Sequence, residues 1–271
     1  MKRSGLFWVL LVLGVILFPV ACDNFEFSPN QTYDRNTPRD LNAKNLERLL
    51  QAPVDDTVVI AFVGDSQRFY DQLERFVGKV NSMPAVDFVL LAGDVSDFGL
   101  LSEFEWVHRQ FRKLKAPYFA VVGNHDVIAN GENVFRRMYG PLDFSFVYDS
   151  IKFILHNTNG GEYPSTQVPD LAWLEQELHG ENNEMVTHFV GVSHVPPTNH
   201  DFQQPLVEPY ARLLRETPGF LVSLHGHIHN HTDHYPFNDG VRYITSFSLD
   251  KPAFLLLKIS GGQIVKETIQ Y

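Results

Sequence analysis

Residues with metal-binding side chains recur in this chain, each group directly after a short apolar run. The groups that follow the five runs are Gly64-Asp65, Gly93-Asp94, Gly123-Asn124-His125, Ser193-His194 and His225-Gly226-His227-Ile228-His229. Carboxylate, amide and imidazole groups are protein ligands of divalent metal ions. A glycine at such a junction lets the chain turn sharply and lets the backbone approach an ion or a phosphate group closely. The recurrence indicates one site assembled from five segments rather than five unrelated turns.

The elements that must position these groups are alternating strands and helices. The apolar runs at 58–63, 88–92, 118–122, 189–192 and 220–224 lack polar alternation, which is typical of strands buried on both faces. Apolar residues at helical spacing separate the first three runs, so we predict strand–helix–strand units and a largely parallel sheet. Ligands of such sheets bind beyond the carboxyl ends of the strands. We therefore expect the five polar groups to gather at one edge.

The last third of the chain predicts antiparallel strands. Strand-forming runs lie at 241–247, 253–259 and 263–269, and the last two are separated by a turn at Gly261-Gly262. A hairpin over 144–155, turning at Asp149-Ser150, is expected to add to them. No internal repeat or low-complexity block is visible.

The polar groups resemble the motifs of the calcineurin-like metallophosphoesterase superfamily, which are GDxH, GDxxD, GNHD, a lone histidine after a strand, and GHxH. In this chain they stand as Gly64-Asp65-Ser66-Gln67, Gly93-Asp94-Val95-Ser96-Asp97, Gly123-Asn124-His125-Asp126, His194 and Gly226-His227-Ile228-His229. The match spans about residues 57 to 230 in the same order, and only Gln67 departs from the common pattern. The resemblance implies a four-layer αββα sandwich: two mixed β-sheets flanked by helices, with a dinuclear metal site at the C-terminal ends of the strands.

The resemblance also implies the ligands of two divalent metal ions, which would be Mn, Fe, Mg or Zn. The first ion would be held by Asp65, Gln67, Asp94 and His229. The second would be held by Asp94, Asn124, His194 and His227, so that Asp94 bridges the two. Gln67 stands where most members have histidine, and an amide oxygen is a weaker donor than imidazole for metals such as zinc.

By the same resemblance, the chain hydrolyses phosphate mono- or diesters of small molecules by attack of a metal-bound hydroxide. His125 would protonate the leaving oxygen, and Asp97 would orient its imidazole ring. Asp126 is expected to fix a loop.

Two loops are candidates for substrate selection. A Pro-rich loop over 195–205 follows His194 directly and carries Asn199 and His200. A second loop, over 230–238, follows the last ligands and contains Tyr235. Either could be an ordinary surface connection.

The charge balance narrows the class of substrate and leaves two rival functions. The net charge is −10, and it becomes −12 without residues 1–21, which carry Lys2 and Arg3 and no acid. Long nucleic acids are poor partners for such a chain, which disfavours a nuclease. A catalytically weak metal- or ligand-binding lipoprotein on the same scaffold is the other rival. Retention of His125 and Asp97 favours an enzyme that acts on small phosphorylated substrates.

The N-terminus has the layout of an export signal. Lys2 and Arg3 precede an apolar run at 6–18, and the small-residue segment after it ends at Cys22, the only cysteine. Cys22 lies where bacterial lipoproteins carry their lipid, although Pro19 occupies the position where leucine is expected. We expect an exported, membrane-anchored lipoprotein on the periplasmic or cell-surface side; an uncleaved anchor and free secretion are the alternatives. The predicted organisation is a signal peptide at 1–21, a tether with a short helix at 22–56 and a catalytic domain at 57–271.

Overall fold

Two β-sheets carry the fold in the computed structural model, which describes Ser28, residues 30–53 and residues 55–271. The five-stranded sheet has the order β11-β10-β1-β2-β3, and the six-stranded sheet has the order β4-β5-β6-β7-β9-β8. The strands of the first sheet are β1 (Val58–Val63), β2 (Phe88–Leu91), β3 (Tyr118–Ala120), β10 (Ala253–Ser260) and β11 (Gln263–Gln270). Those of the second are β4 (Phe144–Tyr148), β5 (Ile151–Leu155), β6 (His188–Val192), β7 (Phe220–His225), β8 (Thr232–His234) and β9 (Tyr243–Thr245).

Strand β1 shows why its sequence is continuously apolar. All six of its residues are buried. Ile60 and Phe62 pack in the core between the two sheets, whereas Ala61 and Val63 pack in the core between the first sheet and its helices. Successive strand residues point to opposite faces, so a strand between two cores has no position for a polar side chain.

Helices cover the outer faces of both sheets and complete the predicted αββα layers. Helices α2 (Tyr70–Asn81), α3 (Leu101–Phe111) and α4 (Gly131–Met138) pack on the first sheet. Helices α5 (Leu171–His179) and α6 (Val207–Arg215) pack on the second. The parallel pairs β1–β2 and β2–β3 are joined through α2 and α3, as the apolar spacing predicts.

A further helix, α1 (Leu41–Leu49), covers the edge of the first sheet at β3. The Asn42 side chain donates to the carbonyl of Ala120 and accepts from its amide, both at 3.0 Å. This pairing satisfies backbone groups that an edge strand would otherwise present to another chain. Helix α1 belongs to the same compact unit, residues 32–271, as the strands.

The C-terminal strands agree with the antiparallel prediction only in part. Strands β10 and β11 pair antiparallel, and β10 also runs antiparallel to β1. The β4–β5 hairpin turns at Asp149-Ser150 as predicted, but it lies in the other sheet. Strand β9 is parallel to β7, because the chain first runs out along edge strand β8 and then returns between β8 and β7.

The predicted signal peptide and Cys22 lie outside the described residues. Among the residues that the structure describes, no helix combines the length and the hydrophobicity needed to cross a bilayer.

Candidate metal centre

Asp65 and Asp94 lie just beyond the carboxyl ends of β1 and β2. Both side chains are almost fully buried, and both residues have a φ of 53° in the left-handed region. The amide of Asp65 donates to the carbonyl of Gly93 at 3.0 Å, which holds the two loops together. Backbone strain of this kind costs on the order of 1–3 kcal/mol and persists where the surrounding structure enforces it, commonly at active sites.

Glycine at position 93 is required by the closeness of His194. Gly93 has a φ of 83°, and a Cβ atom there would lie 2.6 Å from Nδ1 of His194. Any larger residue would push the imidazole away from the aspartates. The glycine before Asp94 therefore permits a close approach of the His194 side chain, whereas the sequence analysis expected an ion or a phosphate group there.

His194 reaches Asp94 across the two sheets. Its Nδ1 donates to the carbonyl of Ala92 at 2.6 Å, and its Nε2 lies 3.3 Å from Oδ2 of Asp94. Potential ligand atoms of Asp65, Asp94 and His194 all lie within 4.8 Å of one another. Burial lowers the pKa of His194, but the two aspartates outweigh burial and raise it to about 9. The cluster therefore favours a positive charge among these atoms.

Asn124 and His227 extend the cluster on the side of His194. The Oδ1 atom of Asn124 lies 3.1 Å from Nε2 of His194 and 3.1 Å from Nδ1 of His227. Nε2 of His227 lies 3.0 Å from Oδ2 of Asp201, so the ring is held from both ends. Three of the four side chains predicted for the second ion are thereby in mutual contact, and Asp94 touches His194.

The residues predicted for the first ion surround Asp65. Nε2 of His229 lies 3.4 Å from Oδ1 of Asp65. Among the described residues, neither Oδ2 of Asp65 nor Oε1 of Gln67 has a hydrogen-bond partner, although both atoms are buried. Buried oxygen atoms without partners are rare and call for an unseen ion or water. The donor set and these two orphaned oxygens fit divalent metal ions, and oxygen donors suit hard ions.

Asp126 fixes the loops that carry the ligands. Its buried carboxylate accepts from the amides of Val95, Ser96 and Gly123 and from the Ser96 hydroxyl. Burial and the nearby Asp94 raise the pKa of Asp126 to about 7, against the opposing effect of these amides. This geometry matches the loop-fixing role expected from the sequence.

His125 is oriented by the Asp97 main chain rather than by the Asp97 carboxylate. Nδ1 of His125 donates to the carbonyl oxygen of Asp97 at 2.8 Å, and the His125 amide donates to Oδ1 of Asp94 at 3.0 Å. The carboxylate of Asp97 instead accepts from Nε of Arg68 at 2.5 Å. The expected pairing of His125 with Asp97 is thus present through different atoms, with the carbonyl on His125 and the carboxylate on Arg68.

Sequence reasoning missed Arg68 and understated Asp201. Arg68 directly follows Asp65-Ser66-Gln67, and a basic residue next to a predicted ligand loop was the available signal. Asp201 lies in the loop over 195–205, where the sequence drew attention to its neighbours Asn199 and His200. Only the folded chain brings Asp201 against His227.

Among the described residues, none of the three substrate candidates is hydrogen-bonded to a residue of the cluster. The side chain of His200 is 89% exposed, and Oδ1 of Asn199 accepts from the amide of Asp201. Tyr235 is exposed just beyond β8. A cavity of about 640 Å³ is lined by His200 and Asp201 together with residues 160–161 and 164–167.

Two further histidines are buried without joining the cluster. His156 bonds the carbonyl of Ile154 and the hydroxyl of Tyr210. His225 bonds Oγ of Ser193 and stacks on Tyr243. These contacts are structural support for the second sheet. His108 is part-buried against the Tyr118 hydroxyl, away from these two histidines and the cluster.

Comparisons with known proteins show that this chain is similar to a phosphoesterase family and to two probable phosphodiesterases. The model of the calcineurin-like phosphoesterase family matches residues 58–231, more than half of the chain. A probable glycerophosphodiester phosphodiesterase of Arcobacter nitrofigilis is 24% identical over 167 residues, which cover 55% of this chain and 59% of that protein. A probable cyclic nucleotide phosphodiesterase of Moraxella catarrhalis is 27% identical over 163 residues, covering 53% and 55%. The chain thus spans less than two thirds of the length of either relative.

A solved structure supports the fold. The dimetal phosphatase of Danio rerio aligns with a TM-score of 0.58 and 13% identity, covering 80% of this chain and 100% of that one. At this identity the likeness concerns the fold alone.

Proposed function

Because the chain belongs to the calcineurin-like phosphoesterase family, we propose that it is a metal-dependent hydrolase of small phosphodiesters. The observation that carries the proposal is the convergence of Asp65, Asp94 and His194 at one edge of the sheets, with ligand atoms within 4.8 Å of one another. The names of two relatives, a glycerophosphodiester phosphodiesterase and a cyclic nucleotide phosphodiesterase, support diesters as the substrate class.

The proposed ligands are those that surround the two aspartates. Asp65, Gln67, Asp94 and His229 would hold the first ion. Asp94, Asn124, His194 and His227 would hold the second. When bound, divalent ions polarise phosphoryl oxygens as Lewis acids and lower the pKa of water. The orphaned oxygens of Asp65 and Gln67 support the first set, and the contacts of Asn124 support the second.

His125 is the proposed proton donor to the leaving oxygen. Its Nδ1 proton is engaged by the Asp97 carbonyl, so Nε2 is the atom left to exchange a proton with the alcohol that departs. The hydrogen bond from the His125 amide to Asp94 keeps the imidazole beside the metal ligands. A proton donor held in this way reacts without first having to diffuse to the substrate, which lowers the entropic cost of the proton transfer.

Small substrates agree with the charge of the chain. A net charge of −10 repels long polyanions, whereas two divalent ions held by the proposed ligands would give the site a local positive charge that attracts a single phosphate group. We further propose that the chain is exported and that a lipid on Cys22 anchors it to a membrane.

An activity panel tests the proposed function. The purified chain is stripped with a chelator and assayed with Mn²⁺, Mg²⁺, Zn²⁺ or Fe²⁺ on bis(p-nitrophenyl) phosphate, p-nitrophenyl phosphate, cyclic nucleotides and glycerophosphodiesters. We expect diester hydrolysis that disappears on chelation and returns with metal. Hydrolysis of no ester under any metal would overturn the enzyme in favour of a metal- or ligand-binding protein.

A further inference from the structure

Arg68 stands at the rim of the metal centre in a constrained position. It is the third residue after Asp65, and its φ of 64° places it in the left-handed region. Its side chain is 60% exposed, and its Nε donates to Oδ1 of Asp97 at 2.5 Å. Among the described residues, no hydrogen-bond partner is seen for its two terminal nitrogens, which leaves their donors available to a ligand.

The anchor that holds Arg68 is itself rigid. The side chain of Asp97 is 9% exposed. The amides of Asp97, Phe98 and Leu100 donate to one oxygen of the buried Glu103. Because the loop is fixed by these bonds, an Asp97 carboxylate that binds Nε restricts where the guanidinium can lie.

Asp97 also links Arg68 to the residue proposed as the proton donor. The residue that binds Arg68 through its carboxylate binds Nδ1 of His125 through its own carbonyl, at 2.8 Å. Asp97 therefore contacts both side chains, the guanidinium through its carboxylate and the imidazole through its carbonyl. An exposed side chain as long as arginine, bound to a residue that contacts His125, can extend toward a phosphate group beside that imidazole.

We infer that Arg68 binds a non-bridging oxygen of the substrate phosphate and that Asp97 positions its guanidinium for this contact. The inference rests on the proposed function and goes beyond it by assigning a specificity-determining residue outside the metal ligands. A guanidinium group presents paired N–H donors that match phosphate oxygens. Its two terminal nitrogens can make this contact while Nε stays bound to Asp97. Asp97 is thereby a positioning residue that acts through Arg68.

The test compares Arg68→Gln and Arg68→Lys with the wild type in the Mn²⁺-loaded full chain. We expect Arg68→Gln to raise KM for bis(p-nitrophenyl) phosphate about tenfold, with a smaller change in kcat, because a binding contact is lost. Arg68→Lys should recover part of the loss, since a point charge remains without the fork. Arg75→Gln, an exposed arginine on α2, is the matched control and should change neither constant.

A double-mutant cycle tests the role of Asp97. If Asp97 acts through Arg68, Asp97→Asn should cost activity in the wild type and almost nothing in the Arg68→Gln background. Equal losses in both backgrounds would show that the Asp97 carboxylate acts elsewhere, for example on His125. Metal content by elemental analysis and the thermal midpoint should be unchanged in Arg68→Gln.

A binding measurement separates this inference from the proposed function. Calorimetric titration of the Mn²⁺-loaded chain with inorganic phosphate needs no turnover. About tenfold weaker phosphate binding by Arg68→Gln supports the inference even if no ester is hydrolysed. Unchanged phosphate binding and unchanged KM would overturn it even if the wild type is an active diesterase.

Discussion

Asp201 Oδ2 lies 3.0 Å from Nε2 of His227, so the loop after β6 orients a proposed ligand on the loop after β7. The opposite ring atom, Nδ1, faces Asn124 at 3.1 Å. A carboxylate behind a ligating imidazole fixes its tautomer and raises its basicity. The contact gives the loop over 195–205 a role at the proposed metal site, separate from the substrate role that the sequence suggests for it.

Removal of this carboxylate should weaken the second metal ion. We expect Asp201→Ala to lower metal affinity at that site by about 10- to 100-fold, and Asp201→Asn by less, because the amide oxygen can still accept from Nε2. Calorimetric metal titration of the stripped protein measures both. Asp56→Ala, an exposed carboxylate at the opposite end of β1, is the control. Affinities equal to wild type in Asp201→Ala would show that His227 needs no support from this loop.

Loss of a proposed metal ligand should lower activity more than loss of Asp201, which only orients the ligand His227. Asp94→Asn and His227→Ala should each lower diesterase activity at least about a hundredfold, because the ions that activate water are lost. Asp94→Asn should also reduce the metal content of both sites, whereas His227→Ala should reduce one. Elemental analysis and steady-state kinetics provide the readouts. Two tightly held metals together with full turnover in Asp94→Asn would refute the dinuclear assignment.

The parts of the site that the sequence predicts are those encoded within single segments. Asp65 and Asp94 each follow an apolar run that is typical of a doubly buried strand, and parallel strands bring their ends to one edge. That reasoning needs no knowledge of side-chain contacts. It therefore succeeds for the layers and for the convergence of Asp65, Asp94 and His194.

The parts that the sequence does not predict depend on contacts between segments. The Asp97 carboxylate could have served His125, and only the folded position of Arg68 assigns it elsewhere. Likewise, the direction of β9 depends on whether the chain crosses β8 before it joins β7. A run of apolar residues carries no information about either choice.

The buried imidazole of His156 should make stability depend on pH. Burial lowers its pKa to about 4, whereas an unfolded histidine titrates near 6.5. Between these values the unfolded chain binds a proton that the folded protein does not, so the free energy of unfolding falls as the pH falls. The contribution is on the order of 3 kcal/mol once the pH is below both values.

Urea denaturation of the chelated protein at pH 7.5 and pH 4.5 measures this effect. The wild type should lose more stability between the two pH values than His156→Gln, whereas His200→Gln, which changes an exposed imidazole, should follow the wild type. Should the His156 variant be too unstable, an NMR titration of the wild-type imidazole gives the pKa directly. A His156 pKa near 6.5 would contradict the prediction.

Lipid attachment at Cys22 is the prediction that concerns location. The only cysteine directly follows the export signal that we predict at 1–21, so a bacterial host should attach a fatty-acid analogue to the wild-type chain and not to Cys22→Ser. Fractionation should find the wild type with membranes and the variant released. Equal labelling of both proteins, or of neither, would favour an uncleaved anchor or free secretion.

The side-chain amide of Gln67 should determine which metal ion the first site prefers. Its Oε1 atom is buried and, among the described residues, without a partner, which costs about 1–3 kcal/mol in the metal-free protein. An ion at the first site would satisfy that oxygen. An amide oxygen is a harder and less basic donor than imidazole, so this site should prefer Mn²⁺, Mg²⁺ or Fe²⁺ over Zn²⁺ and bind its ion loosely.

Two substitutions at Gln67 should change the affinity for the first ion in opposite directions. Gln67→His should tighten the first ion at least about tenfold, because it restores the common ligand. Gln67→Met has a similar shape and lacks the oxygen, so it should weaken that ion while leaving the metal-free protein as stable as wild type or more stable. Calorimetric metal titration and urea denaturation of the stripped proteins measure the two effects. Metal affinities that are equal in all three proteins would show that the first ion is held without Gln67.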